Sequence, residues 1–226
     1  RRSNQEKLHM KTRIVYAPER EDLVAAAQCL RSGGLVAFPT ETVYGLGGNG
    51  LDPLAAKKIY EAKGRPSDNP LILHLYEPEE AEKYAYTCPL YYKLAMAFMP
   101  GPLTVILPKK PCVPKEVTGG LETVALRVPS HRVARALLRE TGLPIAAPSA
   151  NTSGRPSPTL VKYVIEDLDG KVDMILDGGP CDIGLESTIV LLEGNSMKLL
   201  RPGGITPEML APLQEFVSLS ERFGIH

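Results

Sequence analysis

Short apolar runs alternate with helix-like segments along the whole chain. The apolar runs predict strands at Arg13–Tyr16, Leu35–Phe38, Leu71–Leu75, Leu103–Leu107, Thr123–Val128, Ile145–Ala147, Met174–Leu176, Thr188–Leu192 and Lys198–Leu200. Several of these runs are apolar throughout, which is typical of strands that are covered on both faces. The last two flank the turn Glu193-Gly194-Asn195-Ser196 and predict an antiparallel hairpin. The pattern therefore predicts an α/β domain with a mixed sheet.

Start and stop signals place helices between these strands. They predict one helix from Pro18 to the stop at Gly33-Gly34, one from Asp52-Pro53 through Glu61, one that Ser130 caps and that ends at Gly142, and two that begin at Thr159 and at Thr206-Pro207.

The length of 226 residues is enough for one large domain, or one domain with a tail, at roughly 150 residues per domain. We expect a disordered extension at residues 1–11, the folded domain at 12–213, and a tail or the start of a linker at 214–226. The first nine residues precede Met10, which could be the natural start. A hydrophobic content of 43% and a charged content of 23% exclude disorder as a description of the whole chain.

Charge and cysteine content exclude several classes of protein. Lys plus Arg and Asp plus Glu number 26 each, so the chain lacks the basic surplus of proteins that hold nucleic acid by bulk charge. The four cysteines are scattered without a C-x-x-C pair, which predicts reduced thiols and no zinc site. No apolar run approaches the roughly 18 residues of a membrane span, and the first residues lack the apolar region of a secretory signal. We therefore expect a cytoplasmic protein.

Small and polar residues concentrate in segments that follow strands. These segments are PTETVYGLGGNG, KGRPSDNP, PSANTSGRPSPT, DGGPCDIGLEST and RPGGIT. Loops of this composition offer backbone N–H groups and hydroxyls that can bind an anion or a phosphate.

Gly45–Gly50 matches G-x-G-x-x-G, but Thr40–Tyr44 separate it from the preceding strand, which disfavours a dinucleotide site. The sequence has no G-x-x-x-x-G-K-[ST] or G-x-S-x-G motif.

Four charged or titratable residues are candidates for chemistry, each with a structural alternative. Lys63 and Arg65 could clamp phosphate oxygens from a turn with Gly64, or simply end a solvated helix. Arg127 lies in the apolar strand TVALRVP, where a charge is costly unless it is paired. It could form a structural salt bridge or bind a substrate carboxylate in a cleft. His74, in LILHL, could be a core histidine or a site residue.

Two polar pairs next to apolar strands are also candidates. They are Ser149 with Asn151, and Ser187 with Thr188, and each alone could be ordinary turn chemistry.

Taken together, these motifs carry a resemblance to a known family. PTETVYGLGG, KGRPSDNPLILH, MPGPLTVIL, LRVPSH, APSANTSGRPSPT, DGGP, GLESTIV and LRPGGIT follow one another across Phe38–Thr206. This order resembles the YrdC-like family of L-threonylcarbamoyl-adenylate synthases, including its K-x-R and S-x-N signatures at Lys63/Arg65 and Ser149/Asn151. Longer members carry a linker and a second domain, so the chain is similar to the short form or to a truncated long form.

The resemblance implies a fold, a reaction and a set of substrates. The fold is a twisted mixed sheet flanked by helices, with an open, concave, basic cavity. The reaction is that of a nucleotidyltransferase: L-threonine, bicarbonate or CO2, and ATP with Mg²⁺ give threonylcarbamoyl-AMP and pyrophosphate. The product serves the threonylcarbamoyladenosine modification of tRNA beside the anticodon, so the transfer machinery for that step is an expected partner.

The resemblance also implies roles for individual residues. Threonine contacts fall on Thr42, His74, Arg127 and Ser187. ATP contacts fall on Lys63, Arg65, Asn69, Thr123, Ser149, Asn151, Thr159 and Arg201. Of these, Lys63, Arg65, Ser149 and Asn151 carry the catalytic signatures, with Lys63 and Arg65 facing the phosphates.

Two other functions stay open. The first is the carbamoyl-adenylate-forming module of hydrogenase maturation proteins, which shares the fold but lies in larger chains with zinc-finger-like cysteines. The second is a module that binds double-stranded RNA by shape, with at most weak affinity given the zero net charge.

Overall fold

The computed structural model describes residues 10–222, with side chains described as far as residue 214. The first nine residues of the predicted extension, and the last four of the predicted tail, lie outside this part. The chain forms strands β1 (Arg13–Tyr16), β2 (Val36–Pro39), β3 (Tyr44–Asn49), β4 (Ile72–His74), β5 (Leu103–Pro108), β6 (Thr123–Arg127), β7 (Ile145–Ala147), β8 (Met174–Asp177), β9 (Thr188–Glu193) and β10 (Ser196–Arg201).

The helices are α1 (Arg20–Arg31), α2 (Pro53–Lys63), α3 (Pro89–Phe98), α4 (Arg132–Thr141), α5 (Val161–Leu168) and α6 (Pro207–Arg222), with a 3₁₀ helix at Pro78–Lys83. Helix α6 crosses the predicted domain boundary at residue 213.

The strands form one sheet in the order β1-β8-β2-β3-β7-β4-β6-β5-β9-β10. Four neighbouring pairs are parallel: β1/β8, β2/β8, β4/β6 and β5/β9. The remaining pairs are antiparallel, including the hairpin β9/β10. The predicted mixed sheet and the terminal hairpin are therefore confirmed.

Helices cover the two faces of the sheet unequally. On one face, the main core joins Leu73, Val105, Leu126 and Val190 of β4, β5, β6 and β9 to α2 and α3. On the other face, a second core packs α1 and α4 against β1, β2, β7 and β8. On this second face, β4, β5, β6 and β9 expose half-buried residues, such as Ile106, because neither helix covers them. This uncovered half of the sheet is the floor of the candidate site.

Strand β3 was not expected, because the sequence pattern placed its glycines in a loop. Gly47 lies on β3 between its neighbours β2 and β7. A Cβ atom there would lie 2.7 Å from Ile145 Cγ2 and 2.8 Å from Phe38 Cε1. Glycine therefore marks close packing here rather than a turn, and the loop prediction for Tyr44–Asn49 is wrong.

Two other expectations need correction. Helix α3, with the sequence PLYYKLAMAF, was not predicted, since Cys88 at its N-cap makes no side-chain capping bond that would serve as a start signal. The N-cap of α4 is His131, whose Nδ1 accepts from the Val133 N–H at 3.1 Å, and not Ser130. Ser130 instead donates its hydroxyl to Glu41 Oε2 at 2.7 Å. A tertiary contact thus displaces the predicted cap.

Candidate active site

A cavity of about 190 Å³ lies on the uncovered half of the sheet. Its floor consists of side chains of β4, β5, β6, β7 and β9, and its walls come from the β2–β3 loop, the segment after α2 and the segment before β9. Eight of the residues predicted for the site line this cavity: Thr42, Arg65, Asn69, His74, Arg127, Ser149, Ser187 and Arg201. Lys63, Thr123, Asn151 and Thr159 do not line it.

Arg127, at the end of β6, is 4% exposed and forms an ion pair with the buried carboxylate of Glu41. It also donates from Nη1 to Thr42 Oγ1 at 3.0 Å and from Nε to the Gly101 carbonyl at 3.4 Å. Burial lowers the pKa of its guanidinium, and Glu41 opposes that shift. Arg127 thus has the buried ionic partner of the structural alternative and also lines the cavity, and its binding of a substrate carboxylate stays a prediction.

Glu41 is a residue that the sequence reasoning missed. Its carboxylate accepts from Arg127 and from the backbone N–H and hydroxyl of Ser130, at 2.8 and 2.7 Å. The available signal was its position in PTETVYG, directly before Thr42. Its partners are more than 80 residues away in the sequence, so spacing alone could not pair them.

His74, at the end of β4, is 4% exposed and packs edge-on against Phe38, with ring centroids 6.1 Å apart. Its Nδ1 donates to the Ile72 carbonyl at 3.0 Å, since a carbonyl can only accept. Burial, with a smaller effect from Arg127, lowers the pKa of His74 to about 3. The imidazole is therefore a neutral group in the cavity wall at physiological pH.

The K-x-R and S-x-N signatures meet in space, but Lys63 does not lie on a turn as expected. It is the last residue of α2, is 3% exposed, and is followed by Gly64 in the left-handed conformation, with φ 63°. Its Nζ donates to the Ser149 carbonyl, with Ser149 Oγ and Asn151 Oδ1 each at 3.4 Å. Burial, and then the charge of Arg65, lowers the pKa of Lys63 to about 7. Lys63 thus supports the loop that carries Ser149 from behind.

Two further arginines line the cavity. Arg65 donates from Nη2 to the Pro70 carbonyl at 2.9 Å. Arg201 pairs with Glu186 at 3.0 Å and donates from Nη2 to the Ser187 carbonyl at 2.9 Å. Together with Arg127, they give three arginines against the single carboxylate of Glu186 among the described residues that line the cavity. When Glu41, the buried partner of Arg127, is counted as well, the arginines still exceed the carboxylates by one, in keeping with the expected basic cavity.

Glu186 is the second site residue that sequence reasoning missed. Its Oε1 accepts from the Ser157 hydroxyl at 2.8 Å, while Oε2 pairs with Arg201. The residue stands in GLEST next to Ser187, which was predicted, so its position was the only sequence signal.

The residues that lie outside the cavity have other surroundings. Thr123, at the start of β6, lines an adjacent, mainly apolar depression, and Ile106 borders both spaces. The Thr159 carbonyl accepts from the Cys181 N–H at 3.0 Å, which ties it to the segment before β9. Asn151 donates from Nδ2 to the carbonyls of Thr152 and Arg155, at 2.9 and 2.8 Å.

Between residues 10 and 222, no group of three or more His, Cys, Asp and Glu side chains is arranged to hold a metal ion. In the same part of the chain, no helix is both long enough and apolar enough to cross a membrane.

Comparison with known proteins gives consistent matches. The Sua5/YciO/YrdC family model, described as "Telomere recombination", matches residues 28–203. The threonylcarbamoyl-AMP synthase of Bacillus subtilis is 55% identical over 190 residues, which cover 83% of this chain and 55% of that protein. The threonylcarbamoyl-AMP synthase of Pyrococcus abyssi is 52% identical over 202 residues, which cover 89% of this chain and 58% of that protein.

A solved structure also matches. The crystal structure of P. abyssi Sua5 complexed with L-threonine superposes with a TM-score of 0.85 at 50% identity, covering 90% of this chain and 61% of that one. The chain thus spans less than two thirds of the length of these relatives. Because the family model covers most of the chain and the identities exceed 50%, the chain belongs to the Sua5/YciO/YrdC family.

Proposed function

We propose that this chain makes threonylcarbamoyl-AMP and pyrophosphate from L-threonine, bicarbonate or CO2, and ATP. Relatives at 52% and 55% identity are named threonylcarbamoyl-AMP synthase, and a relative was crystallised with L-threonine. The observation that carries the proposal is the cavity itself, which places Arg127 within 3.0 Å of Thr42 and beside His74, Arg65 and Arg201. The proposed carboxylate site and the proposed phosphate site thus lie in the same cavity. We assign this activity to residues 12–213.

In the proposed threonine site, the Arg127 guanidinium binds the substrate carboxylate. Thr42 and the neutral His74 help to fix the amine and the side chain. Ser187, whose Oγ lies 2.7 Å from Thr104 Oγ1, lines the same wall and can hydrogen-bond the substrate. A wall of hydroxyls and a neutral imidazole, next to one guanidinium, suits a small amino acid that carries a hydroxyl group.

In the proposed ATP site, Arg65 and Arg201 neutralise the phosphates, and Asn69 and Ser149 hydrogen-bond the nucleotide from the cavity wall. Lys63 and Asn151 act from behind Ser149, at the distances given above. We place Thr123 at the periphery, where the nucleotide would extend beyond the cavity into the depression bordered by Ile106. Thr159 lines neither space and is hydrogen-bonded to Cys181, so its contact with the nucleotide rests on the family resemblance alone.

The chemistry requires positioning and charge neutralisation more than a protein nucleophile. The threonine amine attacks the carbon of CO2 and loses a proton, or attacks bicarbonate with loss of water; either route gives the same carbamate. A carbamate oxygen then attacks the α-phosphorus of ATP, the bond from the α-phosphorus to the bridging oxygen breaks, and pyrophosphate leaves with its electron pair. Arg65 and Arg201 are the cavity cations available to balance the charge that develops on pyrophosphate.

Mg²⁺ fits this site as the counter-ion of ATP. Glu186 is the one carboxylate among the described cavity-lining residues, and both of its oxygens already accept from Arg201 and Ser157. Mg²⁺ retains several waters and binds substrate phosphates together with few protein ligands. The ion would supply additional neutralisation of the triphosphate, and the chain itself holds and orients the nucleotide.

The product would pass to the machinery that transfers the threonylcarbamoyl group to tRNA adenosine beside the anticodon. We also propose that the protein is cytoplasmic, in keeping with a role in tRNA modification.

A pyrophosphate-release assay with ATP, Mg²⁺, bicarbonate and each of the twenty amino acids tests the proposed function. We expect release that depends on threonine. A second arm replaces bicarbonate and the amino acid with carbamoyl phosphate, and a third measures binding of double-stranded RNA. Release only in the second arm would indicate the hydrogenase-maturation type of reaction, and RNA binding without release in any arm would indicate the RNA-binding module.

A matched pair of variants links the activity to the cavity. Thr42→Val removes a hydroxyl that lines the cavity, whereas Thr141→Val removes a buried hydroxyl whose partner is the Leu137 carbonyl within α4. We expect Thr42→Val to weaken threonine use about tenfold, and Thr141→Val to leave threonine use unchanged. Equal effects of the two variants would remove Thr42 from the threonine site.

A further inference from the structure

Glu41 is buried directly behind the cavity wall. Thr40 and Thr42, its neighbours in the chain, line the cavity, whereas Glu41 does not and is 5% exposed. Its Oε1 accepts from Arg127 Nη2, and its Oε2 accepts from the Ser130 N–H and hydroxyl. Both carboxylate oxygens are therefore fixed, one of them by the segment that leads into α4. Glu41 cannot reorient without losing these bonds.

The partners of Arg127 determine which of its donors remain. Among the described residues, Nε donates to the Gly101 carbonyl, Nη1 to Thr42 and Nη2 to Glu41. A guanidinium has five N–H groups, so one N–H is left on each terminal nitrogen. Two N–H groups on neighbouring nitrogens can bind a carboxylate together when they lie on the same edge of the guanidinium.

We infer that Glu41 is a positioning residue that holds the Arg127 guanidinium so that its two remaining N–H groups bind the substrate carboxylate. This inference rests on the proposed function, because it assumes that threonine binds at Arg127. Glu41 does not contact the substrate in this arrangement, and it acts through Arg127.

Whether Glu41→Gln raises or lowers the affinity for threonine separates a positioning role of Glu41 from a purely electrostatic one. Glu41 carries a negative charge next to a site that receives another carboxylate, so its charge alone opposes threonine binding. If charge were its main contribution, Glu41→Gln would bind threonine more tightly than the wild type. If positioning is its main contribution, the same variant binds threonine more weakly, because the Arg127 guanidinium is no longer held in the orientation that binds the carboxylate.

Calorimetric titration of threonine into Glu41→Gln tests the inference. We expect the dissociation constant for threonine to rise about tenfold or more, and the KM for ATP to change little. Asp173→Asn is the matched control, since the Asp173 carboxylate also accepts a backbone N–H, from Leu35 at 2.8 Å, and lies outside the cavity. It should lose stability without losing threonine affinity. Unchanged or tighter threonine binding by Glu41→Gln would overturn the inference.

A double-mutant cycle shows whether Glu41 acts through Arg127. Arg127→Lys keeps the charge but lacks the planar guanidinium, so Glu41 has no guanidinium to position in that variant. We expect the double variant Glu41→Gln/Arg127→Lys to bind threonine as weakly as Arg127→Lys, and no more weakly. Additive losses would show an independent role for Glu41 and would overturn the inference.

A milder variant covers the case in which Glu41→Gln does not fold. Ser130→Ala removes one of the bonds to Oε2 and retains the backbone N–H. It should weaken threonine binding in the same direction, by a smaller factor, and no weakening would count against positioning. Failure of the wild type to bind threonine at all would refute the proposed function itself, which distinguishes the two failures.

Discussion

Because Lys63 is buried, we expect the stability of this protein to rise as the pH increases above neutrality. Burial and the charge of Arg65 lower its pKa from 10.5 to about 7, and the carboxylates of Glu186 and Asp167 only partly oppose this shift. Below about pH 7, Lys63 is protonated in both the folded and the unfolded state, and folding has to bury its charge. Between about pH 7 and 10.5, the folded state has released the proton and the unfolded state retains it. The free energy of unfolding therefore rises with pH across this window.

The size of the effect follows from the shift in pKa. Each unit of pH within the window contributes about 1.4 kcal/mol, so Lys63 adds about 2 kcal/mol between about pH 7.5 and 9. Lys63→Met removes the titrating group while keeping a side chain of similar length. Lys58→Met is the control on the same helix, because Lys58 is exposed and also donates to a backbone carbonyl, that of Gly33, at 3.0 Å.

Urea unfolding of the three proteins at both pH values is the assay. Other titrating groups contribute equally to each protein, so they cancel in the difference between wild type and variant. We expect the wild type to gain about 2 kcal/mol relative to Lys63→Met on going to the higher pH, and Lys58→Met to follow the wild type. A difference between the wild type and Lys63→Met that is the same at both pH values would refute the reasoning.

Three further predictions concern the cavity. Arg65→Ala should keep the fold and lower kcat/KM for ATP about tenfold to a hundredfold, since a charged hydrogen bond is lost; steady-state kinetics that show full activity at limiting ATP would contradict this. Arg127→Ala leaves Glu41 buried without its cation, which should cost about 3–5 kcal/mol and lower Tm by about 6–20 °C in a calorimetric scan. An unchanged Tm would show that Glu41 is neutralised in another way. Serine should be a better substrate than valine in the pyrophosphate assay, because valine leaves the hydroxyl-binding groups unpaired; the reverse order would exclude recognition of the hydroxyl.

The sequence predicted most of the sheet because most strands bury apolar side chains on one or both faces. The runs at Arg13–Tyr16 and Ile145–Ala147 match β1 and β7 residue for residue. It failed at β3, whose glycines are required by the close approach of Ile145 and Phe38 rather than by a turn. It also misplaced the cap of α4, because Ser130 binds Glu41, 89 residues away.

From the residues alone, the candidate site was predictable where one residue type is out of place in its segment, whereas Thr42, Asn69 and Arg201 were predicted only through the family resemblance. Arg127 in an apolar strand and the polar pair Ser149/Asn151 met that condition, and both belong to the site or its immediate support. The burial of Lys63 was not predictable, because it depends on Ser149 and Asn151 folding over the end of α2. Glu41 was not predictable for the same kind of reason, since a carboxylate in a polar loop gives no sign of a distant cationic partner.

The hydrogen bonds that assemble the cavity join distant parts of the chain. Thr42 and Arg127 are 85 residues apart, Thr104 and Ser187 are 83 apart, and Lys63 and Asn151 are 88 apart. Closing loops of this length costs entropy before the contacts repay it, so we expect these bonds to form late in folding. Loss of such a bond should accelerate unfolding and leave the refolding rate nearly unchanged. Stopped-flow measurements on Thr104→Val test this order of events, and a slowed refolding phase would show that the cavity forms early.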